Sequence, residues 1–215
     1  VTWLPNREIG VFQYAPEFLG SGIELSPLMM PLRGFPYEFP GLARNTFRGL
    51  PGLLSDSLPD TFGSALIDAW LASEGRTAAS FHSVERLCYM GNRAMGALEF
   101  EPALWGMAKA SSALEVERLV ALANRVVSAR ASLVGVFRGD DDQDVIEDIL
   151  RVGTSAGGAR AKAILAWNPS TNEFRSGQIE KNDGFEHWLM KFDGVATAGE
   201  TQLAGSMGFG NIEYA

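Results

Sequence analysis

At 215 residues, with 46% hydrophobic and 20% charged residues, the chain has the composition of an ordinary globular protein of one large domain or two small ones. A formal charge of −8 argues against a broad nucleic-acid footprint, because neutralising phosphates takes clustered Lys and Arg. One cysteine, Cys88, excludes an intrachain disulfide; no apolar run nears the roughly 18 residues of a membrane span; and Arg7, Glu8 and Glu17 interrupt the start of the chain where a signal peptide would be apolar. The expectation is a soluble, cytoplasmic protein with no membrane partner. The absence of an initiator Met suggests that the chain begins inside its reading frame.

In chain order, Ile9–Tyr14 and Gly22–Ser26 read as short strands separated by a turn around Pro16. Residues 27–53 are rich in Pro and Gly and predict extended segments and turns. Asp60 or Thr61 caps a helix running to about Ser73, with Ala65, Leu66, Ala69, Trp70 and Ala72 on its apolar side. Ser80 starts another helix ending near Gly91, and Gly96–Phe100 reads as a strand stopped by Pro102. From Ser112, the stripe Leu114, Val116, Leu119, Val120, Leu122, Ala123, Val126 and Val127 marks the best helix, and a shorter one follows the acidic run 140–144. Strands dominate after Arg151, with Asn168–Asn172 as a hairpin turn.

The segment 151–167, RVGTSAGGARAKAILAW, carries the clearest chemistry. Gly153, Gly157 and Gly158 allow backbone N–H groups to converge on an anion; Ser155 adds a hydroxyl, and Arg160 and Lys162 add positive charge. A second strand, 187–192, carries Lys191, with Trp188 and Met190 on one face and Leu189 and Lys191 on the other. A lysine beside Leu189 is costly to bury unless it meets an anion or carboxylate, although an edge-strand lysine can also snorkel to water. Glycine loop, strand, turn and lysine-bearing strand is the order of parts in a kinase amino-terminal lobe, which makes ATP the leading ligand. The loop is not a Walker A motif, since Ala159-Arg160 stands where Lys-Ser/Thr belongs, and Ser155 breaks G-x-G-x-x-G.

Four segments, GLPGLLSDSLPDTFG (49–63), RLCYMGNRAMGALEF (86–100), VGTSAGGARAKAIL (152–165) and EHWLMKFDG (186–194), together resemble the amino-terminal half of HipA-type serine/threonine kinases, the toxins of bacterial toxin–antitoxin modules. The resemblance implies an α+β fold. A small mixed amino-terminal subdomain, with a short antiparallel sheet and helices, precedes the first strands of a protein-kinase-like amino-terminal lobe. The boundary falls near residues 132–150, giving subdomains 1–135 and 136–215. On the same resemblance, Ser155, Ala156, Gly157, Gly158, Ala159, Arg160 and Lys162 cover the ATP phosphates, with backbone N–H groups of Gly157, Gly158 and Ala159 on the β- and γ-phosphates. Ser155 matches an autophosphorylation site that switches the kinase off. Lys191 holds the nucleotide phosphates, and Glu213 matches the acidic residue at the start of the next helix that pairs with that lysine. The implied partners are a small DNA-binding antitoxin, through which any DNA contact would run, and a protein substrate; at least one family member phosphorylates an aminoacyl-tRNA synthetase. The catalytic Asp and the Mg²⁺-binding Asp of the family have no counterpart in the 215 residues, so the chain reads as a truncated, amino-terminal fragment whose Mg²⁺ ligands are expected outside it.

Two other readings stay open on the sequence: a non-catalytic module that docks an antitoxin or a second protomer, and a small-molecule kinase or nucleotide sensor that reuses the lobe. The apolar run Leu28–Leu32 with Phe35 and Tyr37 suits a docking surface or the cover of a small core. The run Asp140–Asp144 lacks the Gly and Glu of a calcium loop and reads as a solvated helix start. His82, His187 and Cys88 show no metal-ligand spacing.

Overall fold

The computed structural model describes residues 1–92, 94, 97–104, 162–177, 184–191 and 212–214. The chain opens with a hairpin, β1 (Thr2–Leu4) and β2 (Ile9–Val11), paired antiparallel with Trp3 opposite Gly10. Its turn places Glu8 at φ 50°. Beyond β2, Phe12 and Tyr37 exchange N–H···O bonds of 3.0 and 2.7 Å, which brings the Pro-rich segment back against the hairpin. Pro16 opens a single helical turn, α1 (Pro16–Leu19), where its missing N–H costs nothing. Tyr14, Met30 and Tyr37 are buried together, with Phe12, Phe18, Leu19 and Phe39 around them. The Tyr14 hydroxyl donates to the Met30 carbonyl at 2.7 Å, so the buried phenol is satisfied.

Residues 22–26 do not form the expected strand. Gly22 is at φ +70°, Ile23 and Leu25 are exposed, and only the isolated bridge Ser26–Met30 forms. Alternation there has no partner strand to pair with, so no ladder develops.

Two short helices, α2 (Arg44–Phe47) and α3 (Gly52–Ser55), flank a reversal at Arg48 and Gly49, with φ 50° and +78°. Gly49 is required: a Cβ there would lie 2.3 Å from the Glu8 carbonyl oxygen. The Gly49 carbonyl in turn accepts from Gly10 N–H at 2.7 Å.

The long helix α4 (Thr61–Ser73) forms as its sequence predicts. The Asp60 carboxylate accepts from Gly63 N–H at 2.8 Å as the N-cap, and Leu66 and Ala69 are buried. Ile67 and Leu71 are buried too, so its apolar arc is wider than the expected stripe. The next helix, α5 (Ser83–Met90), starts three residues later than Ser80 suggests. The Ser80 hydroxyl bonds back to the Thr77 carbonyl at 2.7 Å in a 3₁₀ turn, and the cap falls to His82. His82 Nδ1 accepts from Glu85 N–H at 3.2 Å while the Glu85 carboxylate accepts from His82 N–H at 2.9 Å, a capping box with imidazole in place of a hydroxyl. Leu50, Leu54, Leu58 and Leu87 join α3 to α5, and Trp70, Phe81 and Tyr89 pack at ring distances of 5.1–6.2 Å between α4 and α5. Residues 97–100 are not the expected strand. The Phe100 N–H goes to the Gly91 carbonyl and the Leu104 N–H to that of Cys88, so this segment seals the end of α5 instead.

Four strands, β3 (Lys162–Asn168), β4 (Glu173–Ser176), β5 (Glu186–Lys191) and β6 (Ile212–Tyr214), make an antiparallel sheet in the order β4-β3-β5-β6. The expected hairpin at Asn168–Asn172 is present. The Asn168 side-chain oxygen accepts from the N–H groups of Ser170 and Thr171, and Asn172 takes φ 54°. The fold is therefore mixed α and β, with two small antiparallel sheets. The expected helices after Ser112 and after the acidic run, and the 132–150 boundary, lie outside the described residues. Among the described residues, no helix is long and apolar enough to cross a membrane.

Gly49→Ala is expected to destabilise the protein by about 3 kcal/mol, because a side chain at positive φ also meets a fixed carbonyl. Asp60→Ala, which removes the cap of α4, should cost about 1 kcal/mol. Urea unfolding of both variants checks the order.

Candidate functional site

In the four-stranded sheet, β3 and β5 pair so that Ala163 faces Met190 and Leu165 faces Trp188. Ala163, Leu165 and Met190 are buried on that side, with Trp167 edge-on to Trp188 at 5.9 Å. The alternation read from WLMKF holds: Leu189 and Lys191 belong to the opposite side, and Lys191 is half-buried at the end of β5. Lys162 is the first residue of β3 and stands directly opposite Lys191 in the register. The sheet thus brings two of the expected phosphate-binding residues to one pair of positions.

Glu213 is placed differently from expectation. Residues 212–214 are a strand rather than the start of a helix, with Glu213 opposite Leu189 and therefore diagonal to Lys191 in the ladder. Ser155, Ala156, Gly157, Gly158, Ala159 and Arg160 lie outside the described residues, as does the acidic run 140–144.

A second constellation sits in the amino-terminal part. A cleft of about 520 Å³ opens between the β1–β2 hairpin, the α2–α3 reversal and the start of α5, and its walls include Trp3, Arg44, Arg48, Phe81, His82 and Arg86. Trp3 stacks on His82 at 5.0 Å. Arg44 is held by the carbonyls of Arg7 and Glu8, and its guanidinium lies 3.7 Å from the Glu8 carboxylate. Arg48 donates to the Ser64 hydroxyl at 3.0 Å. Burial, and then the charge of Arg86, push the Arg48 pKa below its ordinary value, against the opposing pull of Asp68 and Asp60. Arg86 is 8% exposed and donates through Nη2 to Asp68 at 2.7 Å. Its Nη1 is buried with no hydrogen-bond partner.

Residues 1–101 match the family model described as the HipA N-terminal domain. The chain carries a HipA N-terminal domain. No curated protein and no solved structure matches the chain. The HipA assignment covers the hairpin, the Pro-rich segment and helices α1 to α5, and it sets the chain in a toxin–antitoxin context.

The arginine cleft of this HipA domain was not legible as a site in the sequence. Arg86 lies far along the chain from Arg44 and Arg48, and only the Arg-x₃-Arg spacing of the first two hints at a shared surface. Of the residues weighed for metals, His82 is a helix cap, His187 lies on β5 and Cys88 on α5. Among the described residues, no three His, Cys, Asp or Glu side chains lie close enough to hold a metal ion.

Burial raises the Cys88 thiol above its ordinary pKa. The fold's preference for the neutral thiol is therefore fully present below the ordinary thiol range and is lost as pH climbs through the raised value. Alkylation of native protein by iodoacetamide at pH 7 should run about tenfold or more slower than alkylation in denaturant.

Proposed function

We propose that this chain is the amino-terminal part of a HipA-type serine/threonine protein kinase toxin and that it binds ATP. The single observation that carries the nucleotide reading is the pairing of Lys162 with Lys191 at the end of β3 and β5, immediately after the glycine-rich segment. Like charges directly opposite in an antiparallel pair destabilise it, and an anion held there offsets that cost. The phosphates of ATP fit this requirement. Loop N–H groups from Gly157, Gly158 and Ala159 and the side chains of Arg160, Lys162 and Lys191 would hold them. Glu213, one ladder step off Lys191, would orient the lysine.

Phosphoryl transfer to a protein hydroxyl further needs a base and Mg²⁺-holding carboxylates. Family resemblance puts both farther along a HipA-type chain. Phosphorylation of Ser155 would add negative charge where the nucleotide phosphates bind, so the modified loop would bind ATP poorly. Control would come from a small DNA-binding antitoxin, and the target would be a protein such as an aminoacyl-tRNA synthetase.

A second reading, a non-catalytic docking module, is favoured by the exposed apolar run in the HipA domain, where Leu28 is 93% and Phe35 74% exposed.

Calorimetric titration of Mg-ATP into the chain tests the first reading. Binding that weakens at least tenfold in Lys191→Met, with the fold intact by circular dichroism, is the expected result. A folded chain that gives no heat with Mg-ATP would overturn nucleotide binding and leave the docking module as the function.

A further inference from the structure

The cleft of the HipA domain is built for an anion, and its residues lie entirely outside the glycine-loop strands. Its walls hold three arginines, Arg44, Arg48 and Arg86, against one carboxylate, Glu8, in a chain whose formal charge is −8. Asp68 stands behind the lining and occupies Nη2 of Arg86, and Asp60 acts on Arg48 from outside the lining, so the surface of the cleft itself is predominantly positive. Behind this wall, Nη1 of Arg86 is buried without a hydrogen-bond partner. A buried guanidinium N–H without an acceptor is costly, and native structures rarely retain one without a use. Bringing Arg48 close enough to feel the charge of Arg86 adds to that cost. An anion in the cleft offsets the repulsion between these two guanidinium groups.

We infer that this cleft binds the phosphate group of a small phosphate monoester, with the Arg48 guanidinium as its donor and the charge of Arg86 behind it. Arginine suits this role because its planar fork presents parallel N–H groups to a phosphate. The cleft is also larger than a bare anion requires, and the Trp3–His82 stack and the Phe81 ring give the rest of the ligand an apolar wall. Inorganic phosphate therefore fits the polar end alone, whereas phenyl phosphate fits both ends. Nothing in this inference depends on ATP binding at Lys191.

The test is titration of the full 215-residue chain with sodium phosphate and with phenyl phosphate at constant low ionic strength, followed by amide shifts and calorimetry. Wild-type protein should bind phosphate with a Kd of about 1 mM and phenyl phosphate more tightly, with the shifts centred on Arg48, His82, Ser83 and Arg86. Arg86→Met and Arg48→Met should each weaken binding about tenfold, while Arg33→Met, an arginine away from the cleft, should leave it unchanged. Shifts centred on the cleft residues rather than on Lys191 separate this site from the nucleotide reading. Should Arg86→Met fail to fold, the wild-type shifts and Arg48→Met decide. No phosphate binding by folded wild type overturns the inference. So do shifts centred elsewhere, or binding that Arg33→Met and Arg48→Met weaken equally.

Discussion

The HipA domain depends on one backbone reversal, at Arg48 and Gly49, where two consecutive residues take positive φ. Everything around it converges on the same few atoms. Gly49 passes so close to the Glu8 carbonyl that no side chain fits, and its own carbonyl holds Gly10 of β2. The neighbouring Arg48 carbonyl accepts from the Ser83 hydroxyl at 2.6 Å, which fixes the first turn of α5. The Arg48 side chain reaches Ser64 on α4. A hairpin, two helices and the reversal itself are thus tied through hydrogen bonds rather than through a large core, as suits a segment with many short elements and little area to bury.

The same reversal explains the cleft. Arg44 and Arg48 bracket α2, and the left-handed exit from that single turn sends the chain back toward the β1–β2 hairpin instead of onward. Arg44 then caps the hairpin turn through the carbonyls of Arg7 and Glu8. Arg86 enters from α5, where the Asp68 pair anchors one nitrogen on α4. The Asp68 side chain is 32% exposed, so removing one member of the pair would cost less than the roughly 3–5 kcal/mol of a fully buried pair. The pair therefore serves to aim the guanidinium, and position follows from backbone geometry rather than from sequence proximity.

That distinction accounts for what the sequence made legible. Asp60 and the apolar residues after it predict α4 because cap and stripe are local signals, and Asn168–Asn172 predicts its turn for the same reason. The alternation of WLMKF carries Lys191 to the correct side of β5, since a period of two needs no tertiary information. Local signals mislead where a better partner sits elsewhere. Ser80 looks like a cap but is engaged with Thr77, and His82, an uncommon cap, takes over because Glu85 completes the box. Gly22–Ser26 alternates but finds no strand to pair with. Glu213 reads as a helix start by resemblance, yet β5 offers an open edge and the segment pairs as β6. The arginine cleft gives no local signal beyond the spacing of Arg44 and Arg48, because its three cations come from two helices and a reversal.

Both parts of the chain therefore set like charges near one another, and they do so differently. Lys162 and Lys191 are opposed in register at a sheet end. Arg48 and Arg86 are opposed inside the domain, where solvent screens little and one guanidinium nitrogen lacks any acceptor. Ordinary ion pairing does not require that arrangement. Asp68 already neutralises the formal charge of Arg86 through Nη2, and a purely structural pair would turn the remaining nitrogen toward water or a carbonyl. The Asp68 pair and the Phe81 ring, 5.8 Å from the guanidinium, hold Arg86 in place, and an anion in the cleft offsets its repulsion of Arg48.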